Sequence, residues 1–135
     1  MRWRKRSAWQ MLMGHAYSAT VDGSVTIGLG YAAEDPYAVH VLVSADATDA
    51  SCWVFARDLL LAGLTGQAGE GDVVIGTEPG ASVVSIILRN GRDMLAIDLP
   101  RAPLCQFAAD MLSIVPRGRE GGYVDVDAGL RSLLA

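Results

Sequence analysis

Histidine and cysteine are the side chains best suited to proton transfer and nucleophilic work near neutral pH, and this chain has few of them. It carries His15, His40, Cys52 and Cys105. The two histidines are well separated, and neither belongs to an HxxxH or HExxH arrangement that would hold zinc. His40 and Cys52 can be drawn as a base and nucleophile on neighbouring strands. A packed thiol and a surface or satisfied histidine account for both residues more simply. Asp125 and Asp127, two apart, would share one strand face as an acid/base pair, but capping and solvation explain them with less. No GxSxG, Walker loop or GxGxxG opens a helix after a strand, and Gly28-x-Gly30 lacks the helix a dinucleotide site needs. No catalytic residue, metal site or cofactor is expected.

Charge narrows the partners. The 135 residues carry a net −4, yet Arg2, Arg4, Lys5 and Arg6 hold four of the eleven basic residues. Seven bases against fifteen acids remain, so the body stands at −8 and repels a phosphate backbone. Residues 1–7 read as a solvated basic tail and residues 8–135 as one domain. Trp3 and Trp9 interleave with the bases, which leaves the tail as the one place for contact with anionic lipid or nucleic acid. The basic start and the apolar run from Ala8 to Met13 imitate a signal peptide. Gln10, Gly14 and His15 interrupt that run, and the expectation is a cytoplasmic first strand. Two cysteines without CxxC spacing fit buried free thiols in a reducing compartment.

The elements follow from periodicity. Asp35-Pro36 is a turn opener: Pro36 fixes its own φ and pushes Asp35 out of the helical region. Tyr37, Val39, Val41 and Val43 then share one strand face, with His40 and Leu42 on the other. An earlier strand over 8–17 puts Trp9, Met11 and Met13 on one face, and Asp22-Gly23 predicts a hairpin into Ser24–Leu29. Ser51–Phe55 is a short aromatic strand, with Trp53 and Phe55 on a core face. It runs into a Leu-rich helix from Ala56 to Leu64, ended by Gly66. Val73–Ile75 and Ser82–Arg89 read as strands, the latter apolar on both faces and so central and covered twice. Asn90-Gly91 predicts a type I′ hairpin into Asp93–Leu99.

Leu104, Phe107, Ala108, Met111, Leu112 and Val115 form an amphipathic helical stripe that stops at Pro116. A strand over Tyr123–Val126 and a last helix after Asp127 complete the chain. Strands in hairpins with a helix after each run predict an α+β fold with a curved, mainly antiparallel sheet and two to three helices. Residues 24–64 and 72–115 share this order as a candidate diverged repeat. Asp58 suits the positive end of its helix, whereas Arg57 beside it needs a carboxylate or carbonyl partner, as a structural tie or an interface residue.

Tyr31, Asp35-Pro36-Tyr37-Ala38-Val39, Trp53-Val54-Phe55-Ala56-Arg57-Asp58-Leu59-Leu60 with Gly63-Leu64, Gly71-Asp72-Val73, Pro103–Phe107, Val115-Pro116-x-Gly118-x-Glu120 and Asp127 with Leu130 stand in order. In that order they resemble the SsgA-like proteins of actinobacterial sporulation-specific cell division. The resemblance departs at Gly30, where a basic residue is expected before Tyr31, and at Gly76-Thr77, where an aromatic is expected. It implies a Whirly-like sheet assembled as a homotrimer, and makes Asp35, Pro36, Tyr37, Trp53, Arg57 and Asp58 family-signature residues of structural character. It further implies a non-enzymatic adaptor in septum-site selection or septum formation. The implied partners are the tubulin-like division protein FtsZ, another SsgA-like protein or the peptidoglycan machinery, with cytoplasmic localisation at division septa. Single-stranded nucleic-acid binding is the alternative such a fold would allow, and the acidic body argues against it.

Overall fold

The computed structural model describes residues 5–46 and 49–123. Its strands are β1 (Ser7–Tyr17), β2 (Asp22–Ala32), β3 (Ala38–Asp46), β4 (Asp49–Ala56), β5 (Gln67–Ala68), β6 (Val73–Gly76), β7 (Val83–Asn90) and β8 (Asp93–Pro100). Helix α1 (Arg57–Gly63) follows β4, α2 (Arg101–Ile114) follows β8, and a 3-10 turn spans Glu120–Tyr123. The strands form one curled antiparallel sheet in the order β4-β3-β2-β1-β8-β7-β6-β5. This is the predicted α+β class. The chain runs through four strands and a helix twice over, and the two meanders join where β1 meets β8. The repeat suggested by the sequence is visible in this order, but its first unit starts at β1 and its second at β5.

Both helices lie on the inner face of the sheet. There α2 packs on β1 and β8, while α1 packs on β4, β5 and β6. The division of β1 explains the fit. Small or slender residues (Ala8, Leu12, Ala16) face α2, and the bulky Trp9, Met11 and Met13 face outward and stay exposed. Valines 39, 41 and 43 are buried as their spacing predicts. The α2 stripe is buried at Leu104, Phe107, Ala108, Met111 and Ile114. Gly63 is needed where α1 crosses β6: a Cβ there would sit 2.6 Å from the Cβ of Ile75.

Several expectations are corrected. The first hairpin turns at Ser18–Val21, because the Ser18 hydroxyl accepts the amides of Thr20 and Val21. Asp22 and Gly23 are thereby released into β2, opposite Tyr17 and Ala16. The β7–β8 loop is Gly91-Arg92, since Asn90 already pairs with Asp93. Only Gly91 has positive φ (63°), so the turn is of the II′ kind. Strand β7 is covered on one face only among the described residues: Val84, Ile86 and Leu88 are buried, but Ile87 is half-buried and Val83 exposed, because no described helix lies on the outer face. The segment 66–72 contains the two-residue β5. Tyr37 precedes β3 and is exposed, and Trp53 is half-buried against the core. Both cysteines are free, but Cys52 is exposed on the outer face and Cys105 half-buried on α2. The strand expected at 123–126 starts at Tyr123, which belongs to the 3-10 turn. Residues 124–126, the pair Asp125 and Asp127, and the last helix lie outside the described residues, as do Arg2, Trp3 and Arg4.

Candidate functional site

The polar centre of the molecule is built on Arg57, which is 1% exposed. It stands at the first position of α1, where a cation opposes the helix dipole, so its guanidinium is held by other elements. Its backbone N–H continues the β3–β4 ladder by donating to the Tyr37 carbonyl at 2.8 Å. Nη1 donates to the Val115 carbonyl at 2.6 Å and to the Tyr31 hydroxyl at 3.0 Å. Nη2 meets Oε1 of Glu120 at 2.8 Å. The Tyr31 hydroxyl donates in turn to the Pro36 carbonyl at 2.9 Å, and the guanidinium carbon sits 5.6 Å from the Tyr31 ring centroid.

Each partner is delivered by local chemistry. Pro36 holds the turn between β2 and β3, whose amide of Asp35 bonds the Ala32 carbonyl at 3.1 Å. Pro116 forces Val115 into an extended conformation (φ −131°, ψ 101°), which turns a helix-end carbonyl toward Arg57. Gly118 at φ 78° then bends the chain so that Glu120 returns to the guanidinium. A hydrogen bond from its own backbone N–H, with Arg57 adding charge and hydrogen bonding against partial burial, keeps the Glu120 carboxyl below its ordinary 4.5. Burial raises the Tyr31 phenol above its ordinary 10.0, and Arg57 pulls it back. Arg57 Nε is buried with no hydrogen-bond partner among the described residues.

The signature residues divide accordingly. Pro36, the Tyr37 backbone and Arg57 meet in this cluster, while Asp58 is an exposed first-turn acid of α1. Asp35 is exposed and lies 3.6 Å from Nε2 of His40. Trp53 is apart from the cluster, half-buried on β4. Glu120 and Tyr31 are the partners that spacing alone did not assign to Arg57. One signal was available for Glu120, which is the sole acid between Asp110 and Asp125. The cluster is a tie between elements, with its polar atoms turned toward each other.

The surface offers a different kind of site. On the outer face, Trp9, Met11 and Met13 are 57, 54 and 60% exposed, and Leu42 and Val54 continue the patch across β3 and β4. Trp9 lies opposite Gly30, where an added Cβ would be 2.7 Å from the indole, and it also overhangs Gly28 at 3.1 Å. The glycine that departs from the basic residue expected at position 30 therefore seats this ring. His40 and Cys52 share the face as diagonal neighbours, paired with Val54 and Leu42 respectively, and no hydrogen bond joins them. No group of three metal-ligating side chains occurs among the described residues, and no described helix is long and apolar enough to cross a membrane. Lys5 and Arg6 fold back onto acids: Lys5 lies 3.9 Å from Asp110, and Arg6 bonds Glu34 at 2.8 Å.

Residues 25–120, a stretch that includes Arg57 and every partner just named, match the family described as Streptomyces sporulation and cell division protein, SsgA. The chain belongs to the SsgA family. It is 38% identical over 115 residues to the sporulation-specific cell division protein SsgB of Salinispora tropica, covering 82% of this chain and 80% of that one. It is 37% identical over 113 residues to SsgB of Streptomyces coelicolor, covering 82% of each. Among solved structures it resembles the SsgA-like sporulation-specific cell division protein of Thermobifida fusca, with TM-score 0.83, 27% identity and 98% of both chains covered. A structure from work on SsgB mutations that correlate to longitudinal cell division during sporulation of Streptomyces coelicolor gives TM-score 0.78 and 32% identity. It covers 87% of this chain and 94% of that one. A role in sporulation-specific cell division follows from this kinship.

Proposed function

We propose that the protein acts without catalysis as an adaptor in septum-site selection or septum formation, presenting a surface to other division proteins. FtsZ, another SsgA-like protein and the peptidoglycan machinery are the partners this reading names. Self-association as a trimer and a Whirly-like arrangement belong to the same reading. The observation that carries it is the outer face of β1–β4, where Trp9, Met11, Met13, Leu42 and Val54 leave apolar surface facing solvent. Contiguous exposed apolar surface on a small domain marks contact with another macromolecule, and methionines let such a surface adapt to its partner. The pairing of Lys5 and Arg6 with body acids weakens the case for the tail as a phosphate-binding arm.

The test is localisation of a fluorescent fusion in sporulating cells, beside a Met11→Asp/Leu42→Asp variant. The wild type is expected at septa, and the variant is expected to fold but spread through the cell. Wild-type protein that never reaches septa, or that holds single-stranded DNA at nanomolar affinity and physiological salt, would sink the adaptor reading.

A further inference from the structure

Among the described residues the sheet has two unpaired edges, and they are not alike. The β5 edge is blunted by its length of two residues. The β4 edge runs from Asp49 to Ala56 and carries no proline; Ala50–Ala56 is also uncharged. Natural edge strands are protected by charge, proline, bulges or a covering element. Past Asp49 this one is uncharged and rich in strand-forming residues at Trp53, Val54 and Phe55.

Its backbone polarity can be assigned. The amide of Arg57 donates to the Tyr37 carbonyl, and these residues stand directly opposite in the β3–β4 register. Residues alternate along an antiparallel pair, so Trp53 and Phe55 turn their amides and carbonyls toward β3. Cys52 and Val54 turn theirs away, and no described residue bonds them; the Ala56 carbonyl is taken up as the cap of α1. Beside the same strand lies a cavity of about 590 Å3, lined by Ser51 and Trp53 of β4, Val21 of the first turn, and Leu88, Met94 and Leu95 of the β7–β8 hairpin, with Arg92 and Asp93 of that hairpin also in its lining.

We infer that the β4 edge is a docking site for an extended segment of a partner protein, which adds as a ninth strand and places an apolar side chain in the Trp53 cavity. This deepens the adaptor reading and rests on it. A row of outward amides and carbonyls is satisfied by another strand and by little else, so backbone bonds set the geometry and the cavity sets the preference. A residue opposite Trp53 on the added strand faces the same side as Trp53, which is the side of the cavity. Its volume lies within the range of ligand pockets, enough for one large side chain or two smaller ones. A second copy pairing through its own β4 fits poorly. Its inward side chains are committed, with Phe55 buried and Trp53 packed against the core.

Hydrogen exchange on the full chain tests this with a lysine-capped peptide that alternates threonine with valine and a central phenylalanine. In the free protein, the amides of Trp53 and Phe55 should be protected and those of Cys52 and Val54 should exchange freely. Millimolar peptide should slow Cys52 and Val54 at least tenfold. A peptide N-methylated on the edge facing β4 should have no effect, and one methylated on its far edge should act as the parent does. Absence of slowing overturns the inference. Protection of Cys52 and Val54 that rises with protein concentration alone, without peptide, overturns the choice of occupant in favour of a second copy.

Val54→Pro removes an outward amide that has no internal partner, so it should fold and lose the peptide effect at Cys52. In cells, a Val54→Pro fusion reaching septa like the wild type defeats the edge inference and leaves the adaptor reading intact. A wild-type fusion absent from septa defeats the adaptor reading itself.

Discussion

Val115, the residue that closes α2, gives its carbonyl to Nη1 of Arg57, the residue that opens α1, at 2.6 Å. One hydrogen bond thus joins the ends of the two helices that follow the two meanders. The orphan carbonyl of one terminus receives the side chain at the start of the other.

Arg57→Ala should therefore destabilise the domain, since the buried Val115 carbonyl it leaves unpaired alone costs about 1–3 kcal/mol. Equilibrium denaturation measures this directly. Combining it with Glu120→Gln in a double-mutant cycle should give a combined effect smaller than the sum of the two. Strictly additive effects would mean that the two side chains act independently.

The acid limb of stability should depend on Glu120. Its folded carboxyl titrates below 4.5, so its contribution is complete above that value and is lost as pH falls through the folded pKa. Glu120→Gln should flatten that part of the stability-versus-pH curve and lower the plateau near neutrality. An unchanged acid limb in urea titrations at stepped pH would place the sensitive carboxylate elsewhere.

Trp53→Ala should cost less than the ~3–5 kcal/mol of a fully buried tryptophan, because one side of the ring faces the cavity rather than the core. Phe55→Ala, with its side chain buried, should reach that range. Reversal of this order in thermal or urea unfolding would show that the ring of Trp53 is the better packed.

Gly30→Leu should expel the Trp9 indole from its seat, since even a Cβ at that position crowds the ring. The expected result is altered Trp9 fluorescence, read in a Trp3→Phe/Trp53→Phe background. An unchanged spectrum would mean that the ring does not rest on Gly30 in solution.

Deleting residues 1–5 removes one exposed ion pair and spares the Arg6 carbonyl that accepts from the Ala33 amide, so stability should barely change. Any weak binding of single-stranded DNA should disappear with it, checked by gel shift across a salt series. Tight binding by the truncated chain would assign nucleic-acid affinity to the body.

Most of the architecture was legible because hydrophobic spacing reports burial where one face meets a core. The valines of β3 and the stripe of α2 show this, and so does the Asp35-Pro36 turn. What escaped was decided by other forces. The Ser18 hydroxyl outcompeted Asp22-Gly23 for the first turn through bonds to two amides. Periodicity divided β1 into two faces, but the larger residues proved to be the exposed ones, because the helix above needs small partners. The need of Arg57 for a partner could be read from its place at a helix start, whereas the choice of Glu120 depended on the bend at Gly118. The unpartnered edge of β4 could not be read at all, since strand order is not written in the spacing of any single strand.

The two meanders are joined along their seam only by His15, Ala16 and Tyr17 against Asp98, Ile97 and Ala96, whereas β1 and β2 pair over the full length of β1. Every other strand contact links neighbours in the chain and can form early by local zipping. The seam must instead bring together segments about eighty residues apart, an entropic cost met by few ladder bonds. Helix α2, resting on β1 and β8 at once, is the splint across that joint. Closure of the seam under α2 is accordingly expected to be the rate-limiting step, and substitutions at that joint, such as at Ala16 of β1 or Phe107 of α2, should slow folding more than equally costly ones inside either meander.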